Sequence, residues 1–176
     1  MKDIALLVVD VQKGLIDDHP YREIELLEEI RALTERARAN EVEVVYVRHC
    51  EDDPNGLFPG NPAWQVLPAI APHEGERVFD KRFSSAFKDT GLDEYLRGKG
   101  VKTLVISGMQ TEYCIDATVK SAFERGYKVY MPEGGSTTYD NRLFSADTLV
   151  DFYEKDIWNG RFADVLLLDE ALALLK

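Results

Sequence analysis

Three residues have side chains whose combination could break a covalent bond: Asp10, Lys81 and Cys114. A thiol can attack an electrophilic carbonyl. A carboxylate can take the thiol proton and return it to a leaving amine, and an ammonium can hold the charges that develop. The three lie far apart in the chain, but each follows a run that reads as a β-strand. Ile4–Val9 is continuously apolar and ends at Asp10; a short strand over residues 77–80 precedes Lys81; a strand over 103–107 precedes Cys114. In an open α/β sheet the polar residues just past the strands gather at one edge, where ligands bind. Cys114 falls at the start of a helix expected over residues 113–125 and ended by Gly126. Unpaired N–H groups and the positive dipole end there, with the Lys81 ammonium, are expected to favour thiolate over thiol. The preceding segment Gly108-Met109-Gln110-Thr111 can aim backbone N–H groups at an oxyanion.

The rest of the chain supplies the elements that must bring these residues together. Apolar residues Ile24, Leu26, Leu27, Ile30, Leu33 and Ala37 recur at helical spacing over Glu23–Ala39, and a β-rich run follows at 42–47. Residues 49–75 hold five prolines and three glycines, so this stretch is expected to be an irregular excursion with one short helix near Trp64. Further on come a helix at 92–97, a strand at 128–131, a helix over 141–155, a strand at 163–168 and a helix at 170–175. Strands and helices alternate, so the fold class is α/β: a mostly parallel central sheet with helices on both faces, joined by right-handed crossovers. No repeat or shift in composition divides residues 1–176, which are read as a single domain.

Charge and composition exclude several classes of function. There are 21 Lys and Arg against 32 Asp and Glu, a net charge of −11 that repels phosphate backbones and anionic membranes. No nucleic-acid partner is expected. No apolar run approaches the ~18 residues of a membrane span, and the start of the chain does not read as a signal peptide. The expectation is a cytoplasmic protein in which the two cysteines, Cys50 and Cys114, stay unpaired.

Three segments together resemble the isochorismatase-like cysteine hydrolases. They are Leu7-Val8-Val9-Asp10-Val11-Gln12; Phe79-Asp80-Lys81-Arg82-Phe83-Ser84-Ser85-Ala86-Phe87 with Thr90-Gly91-Leu92; and Val105 through Ile115 with Thr118 and Ala122. The resemblance runs from the first strand to about Tyr130. It implies a three-layer α/β/α sandwich of Rossmann-like kind and an Asp-Lys-Cys triad at Asp10, Lys81 and Cys114. It further implies that a thioester forms as the C–N bond of a small amide breaks. It also implies a non-prolyl cis peptide at Met109-Gln110, an oxyanion hole from the N–H groups of Gln110 and Cys114, and a homo-oligomer. Nicotinamidases of that family carry an Asp-x-His metal motif after the second strand. Here the segment reads Arg48-His49-Cys50-Glu51-Asp52, so no metal and no cofactor are expected.

Around this centre Gln12 is expected to orient Asp10 or the substrate, although a turn hydrogen bond would equally account for it. Phe58, Trp64 and Tyr113 are expected to line an apolar pocket for a small planar amide. His49 and His73 are weighed as metal ligands and set aside, with a part in binding left open, and Cys50 is read as a structural residue. The rival readings are a nicotinamidase or pyrazinamidase, a non-catalytic oligomeric binding protein, and a thiol redox sensor that uses Cys114.

Overall fold

The computed structural model describes residues 2–176. Its sheet contains β1 (Ile4–Val9), β2 (Glu43–His49), β3 (Arg77–Lys81), β4 (Thr103–Met109), β5 (Lys128–Pro132), β6 (Ser136–Thr137) and β7 (Asp164–Leu166). The spatial order is β3-β2-β1-β4-β5-β7, and every pairing is parallel. The helices are α1 (Lys13–Ile16), α2 (Glu23–Ala39), α3 (Leu92–Gly98), α4 (Asp116–Glu124), α5 (Ala146–Phe152) and α6 (Leu168–Leu174).

The apolar run of β1 is buried at all six positions because both faces of this central strand are covered. Ala5, Leu7 and Val9 pack with Val45, Val47 and Phe79 under Leu92, Leu96, Val119 and Ala122 of α3 and α4. Ile4, Leu6 and Val8 face the other way, onto Leu26, Ile30, Leu33 and Ala37 of α2 and Ala171 of α6. In α2 those residues recur at three- and four-residue steps. Glu23 and Glu25 open the helix and Arg36 and Arg38 close it, which complements its dipole.

Strand order reverses at β1, whose neighbours β2 and β4 are reached by chain running in opposite directions across the sheet. Such a switch point leaves a crevice outside the carboxyl ends of the two strands. Gly108 makes the close approach of β4 to β1 possible. Its φ is +141°, and a Cβ there would lie 2.0 Å from the Val9 carbonyl oxygen. The two-residue β6 continues the sheet beside Gly108 and Met109, beyond the last residue of β4 that β5 reaches.

Several expected boundaries move. The helix foreseen over 113–125 is a π-helical turn at Thr111–Ile115 followed by α4. The helix foreseen over 141–155 is ordered as α5 only from Ala146, and then widens into a π-helical turn at Tyr153–Trp158. His49 closes β2, and residues 50–75 form the irregular excursion expected, with two 3-10 turns, at Pro62–Trp64 and Pro68–Ile70. The peptide bond between Met109 and Gln110 is cis.

Candidate active site

Parity along the strands decides which side chains meet. Val45, Val47 and His49 share one face of β2, and Phe79 and Lys81 share the same face of β3. His49 and Lys81 are register partners. On β1, Leu7 and Val9 point to that face. The chain then turns at Asp10, which takes a positive φ of 55° while its N–H still bonds the Val47 carbonyl at 2.9 Å. The turn after β4 brings Cys114 over the same core.

The result is a buried ammonium inside a ring of acceptors. Lys81 Nζ lies 2.6 Å from Asp10 Oδ2, 3.0 Å from Cys114 Sγ and 3.2 Å from His49 Nδ1. The Lys81 and Asp10 side chains are sealed from solvent. The Asp10 contact is an ion pair at an angle poor for a hydrogen bond. Neither carboxylate oxygen has a well-formed hydrogen bond among the described residues.

The expected Asp-Lys-Cys triad is corrected by this geometry. The ionisable donor atoms that cluster with the Cys114 sulfur are those of Asp10 and His49, all within 4.8 Å of one another. The ionisable cluster at the sulfur is therefore Asp10, His49 and Cys114. Lys81 is the cation embedded among them, not the third member of a triad. That spacing would also suit a small cation, but the place between the three donors is taken by the ammonium. A metal ion would have to displace a buried positive charge.

Electrostatics at the centre follow from burial first. Desolvation pushes the Asp10 carboxyl up from its ordinary value, against the pull of Lys81. Burial alone would lower Lys81, but the charges of Asp10 and Cys114 outweigh it and its pKa is raised, so it stays an ammonium. Burial and the Lys81 charge lower His49, leaving a neutral imidazole at pH 7. The expectation of a thiolate-favouring helix start is overturned. Burial and the Asp10 charge push the Cys114 thiol up to about 12, with Lys81 opposing them. Cys114 rests as a thiol beside a carboxylate of raised proton affinity, on a π-helical turn and not in the first turn of an α-helix.

The other residues singled out in the sequence take distinct places. Gln12 is wholly buried, with its amide spent on the backbone: Nε2 donates to the His49 and Trp64 carbonyls at 3.0 and 2.8 Å, and Oε1 accepts from the His49 N–H at 2.8 Å. It staples the end of β2 to the excursion. The indole of Trp64 donates from Nε1 to Cys50 Sγ at 3.1 Å, and its ring carries the Arg48 guanidinium 3.5 Å above its centre. Phe58 and Tyr113 are exposed, by 39% and 58%. Cys50 is buried and lines a separate cleft of about 440 Å³ with Arg82, Phe83 and Lys88. His73 donates its N–H to Glu76 near Arg38, away from the cluster.

The sequence reading set His49 aside as a metal ligand and left its part in binding open; the structure brings its ring into the cluster. The signal was present in the two-residue period of β2, which puts His49 on the face of Val45 and Val47 at the sheet edge.

The comparisons with known proteins agree with this architecture. Residues 4–159 match the family model described as the isochorismatase domain. An uncharacterized isochorismatase family protein of Bacillus subtilis, YrdC, is 30% identical over 142 residues, covering 78% of this chain and 75% of that protein. Streptothricin hydrolase of Streptomyces noursei is 34% identical over 140 residues, 77% of this chain; the chain spans about half of that relative, 55% of its length. The crystal structure of N-carbamoylsarcosine amidase from Thermoplasma acidophilum superposes with a TM-score of 0.77 at 26% identity, covering 96% of this chain and 98% of that one.

Proposed function

Since this chain belongs to the isochorismatase family, we propose that it is a cysteine hydrolase that cleaves the C–N bond of a small amide. The observation that carries this reading is the gathering of the Cys114 sulfur, the Asp10 carboxylate and the His49 imidazole within 4.8 Å at the switch point of the sheet. The names of its relatives support the class of reaction: one is a hydrolase and another an amidase.

Asp10 takes the Cys114 proton as Sγ attacks the carbonyl carbon, so the site never has to hold a free thiolate at rest. The C–N bond of the tetrahedral species breaks as Asp10 returns that proton to the departing nitrogen. Water then attacks the thioester, giving its proton to Asp10, and the acid leaves with regeneration of the thiol. The N–H groups of Gln110 and Cys114 receive the oxyanion. Gln12 supports the site through the backbone of His49, and in this reading Trp64 and Phe58 of the excursion and Tyr113 of the π-helical turn are the aromatic side chains offered to a small planar amide.

The partners in this reading are a small-molecule amide and further copies of the chain; light scattering tests the latter, with a mass above that of one chain expected and the mass of one chain refuting it. Among the described residues no helix is long and apolar enough to cross a membrane. The two free cysteines suit the cytoplasm. The test is a panel of small primary amides and ureido compounds, with ammonia release measured and the acyl-enzyme sought by intact mass. Turnover by the wild-type protein that disappears in Cys114→Ala, with a mass adduct confined to Cys114, is expected. Undiminished ammonia release from Cys114→Ala would refute the reading.

A further inference from the structure

The His49 ring is held in a way that assigns its two nitrogens different tasks. Its backbone is clamped on both sides by the Gln12 amide, which leaves only the side-chain torsions free. Lys81 is an ammonium and can only donate, so the 3.2 Å contact requires Nδ1 to accept. An accepting Nδ1 in a neutral ring puts the proton on Nε2. Among the described residues Nε2 has no hydrogen-bond partner and is not enclosed. The ring therefore carries an unused, uncovered N–H donor beside the cluster.

We propose that His49 positions the Lys81 ammonium through Nδ1 and offers its Nε2–H to an acceptor atom of the substrate beside the scissile amide. This rests on the reading of Cys114 as nucleophile and names the substrate class more closely: amides with a second carbonyl, carboxylate or ring nitrogen near the bond that breaks. Without the Nδ1 acceptor, one proton of a fully buried ammonium loses its partner, and the ammonium is free to shift away from Cys114 Sγ. Protonated His49 could not serve, because an imidazolium has no lone pair to accept with. The groups that face the ring are Lys81 and Arg82 at the end of β3, Asp10 after β1, Cys114 on the π-helical turn and Glu51 at the exit of β2.

The experiment compares three proteins and one spectroscopic signature. Nitrogen-15 NMR of histidine-labelled protein at pH 7 is expected to show, for the resonance lost in His49→Asn, a bare Nδ1 and a protonated Nε2. His49→Asn keeps an acceptor near Nδ1 and discards the distal donor. It should leave the pH profile of Cys114 alkylation near wild type while lowering kcat/KM about tenfold, the cost of one lost hydrogen bond to substrate. His49→Gln keeps a distal donor and loses the near acceptor. It should displace the alkylation profile and lower kcat with a smaller change in KM. A proton on Nδ1, or alkylation profiles unchanged in both variants, would overturn the proposal. The spectrum and the alkylation need no substrate, so they fail separately from the amidase reading, which fails if Cys114→Ala still turns over.

Discussion

The side-chain amide of Gln12 closes on both the N–H and the carbonyl of His49, at 2.8 and 3.0 Å, and reaches the Trp64 carbonyl with its remaining proton. One wholly buried side chain thus satisfies three backbone groups where β2 leaves the sheet. The register of the imidazole over Lys81 depends on it. Gln12→Glu keeps the acceptor but turns two donor contacts into a buried carboxylate oxygen facing two carbonyls. Such a change costs about 2–4 kcal/mol. In a domain of this size that lowers Tm by roughly 5–15 °C. Thermal unfolding followed by circular dichroism checks it, and an unchanged Tm would mean that the clamp contributes little.

Burial of the Cys114 thiol sets the second expectation. Its pKa is pushed to about 12, so the rate of iodoacetamide alkylation should still be climbing with pH above 9 instead of levelling near the ~8.5 of a free thiol. The neighbours act in opposite directions. Asp10 raises the thiol and Lys81 lowers it. Asp10→Asn should therefore speed alkylation at pH 9 while abolishing amide turnover, and Lys81→Met should slow alkylation about tenfold or more. A plateau near pH 8.5 in the wild type, or both variants moving the rate the same way, would contradict this electrostatic account. Cys50, whose thiol burial also raises, serves as the internal comparison.

Much of this arrangement was legible before the structure, and the parts that were not have physical reasons. The apolar run into Asp10 and the alternation of strands and helices showed the parallel sheet. The π-helical turn at Cys114 was not legible, because its wider hydrogen-bond spacing has no residue signature of its own. The low thiol pKa inferred from the helix start and from Lys81 omitted burial, which is a property of the tertiary structure. Residues 141–155 were read as one helix since Leu143 and Phe144 fit a helical period, yet both side chains are exposed, by 65% and 51%. Local polar contacts win there: Asn141 Oδ1 accepts the N–H groups of Leu143 and Phe144, and Asp140 accepts that of Ala146.

Two glycines separate backbone strain from lack of space. Gly126 has a φ of +85° with no heavy atom within 4 Å of an added Cβ, whereas at Gly108 the same atom would sit 2.0 Å from the Val9 carbonyl. Gly126→Ala should cost only about 1–2 kcal/mol, the price of a left-handed residue. Gly108→Ala must also push β4 away from β1 at the switch point. A loss of more than about 4 kcal/mol is expected, together with loss of amide turnover. Urea unfolding of both variants decides the matter; equal midpoints would show that the sheet accommodates the methyl group.

Glu154, outside the Asp10, His49 and Cys114 cluster, makes stability depend on pH. Its side chain is almost wholly buried and accepts the Gly134 N–H at 2.9 Å. Burial raises its pKa from 4.5 to about 7, and the charges of Glu133 and Glu29 add to this while the Gly134 bond and Arg22 oppose it. The folded chain therefore binds this proton more tightly than the unfolded chain. Below the unfolded value both states are protonated and there is no penalty. Between about pH 4.5 and 7 stability falls as pH rises, and above 7 the full penalty of about 3 kcal/mol stands. Glu154→Gln keeps an acceptor for Gly134 and removes the titration. Relative to wild type it should gain stability on going from pH 5 to pH 8, approaching that figure. Urea midpoints at the two pH values test this, and a difference between the proteins that does not change with pH would rule out the buried carboxyl as the source.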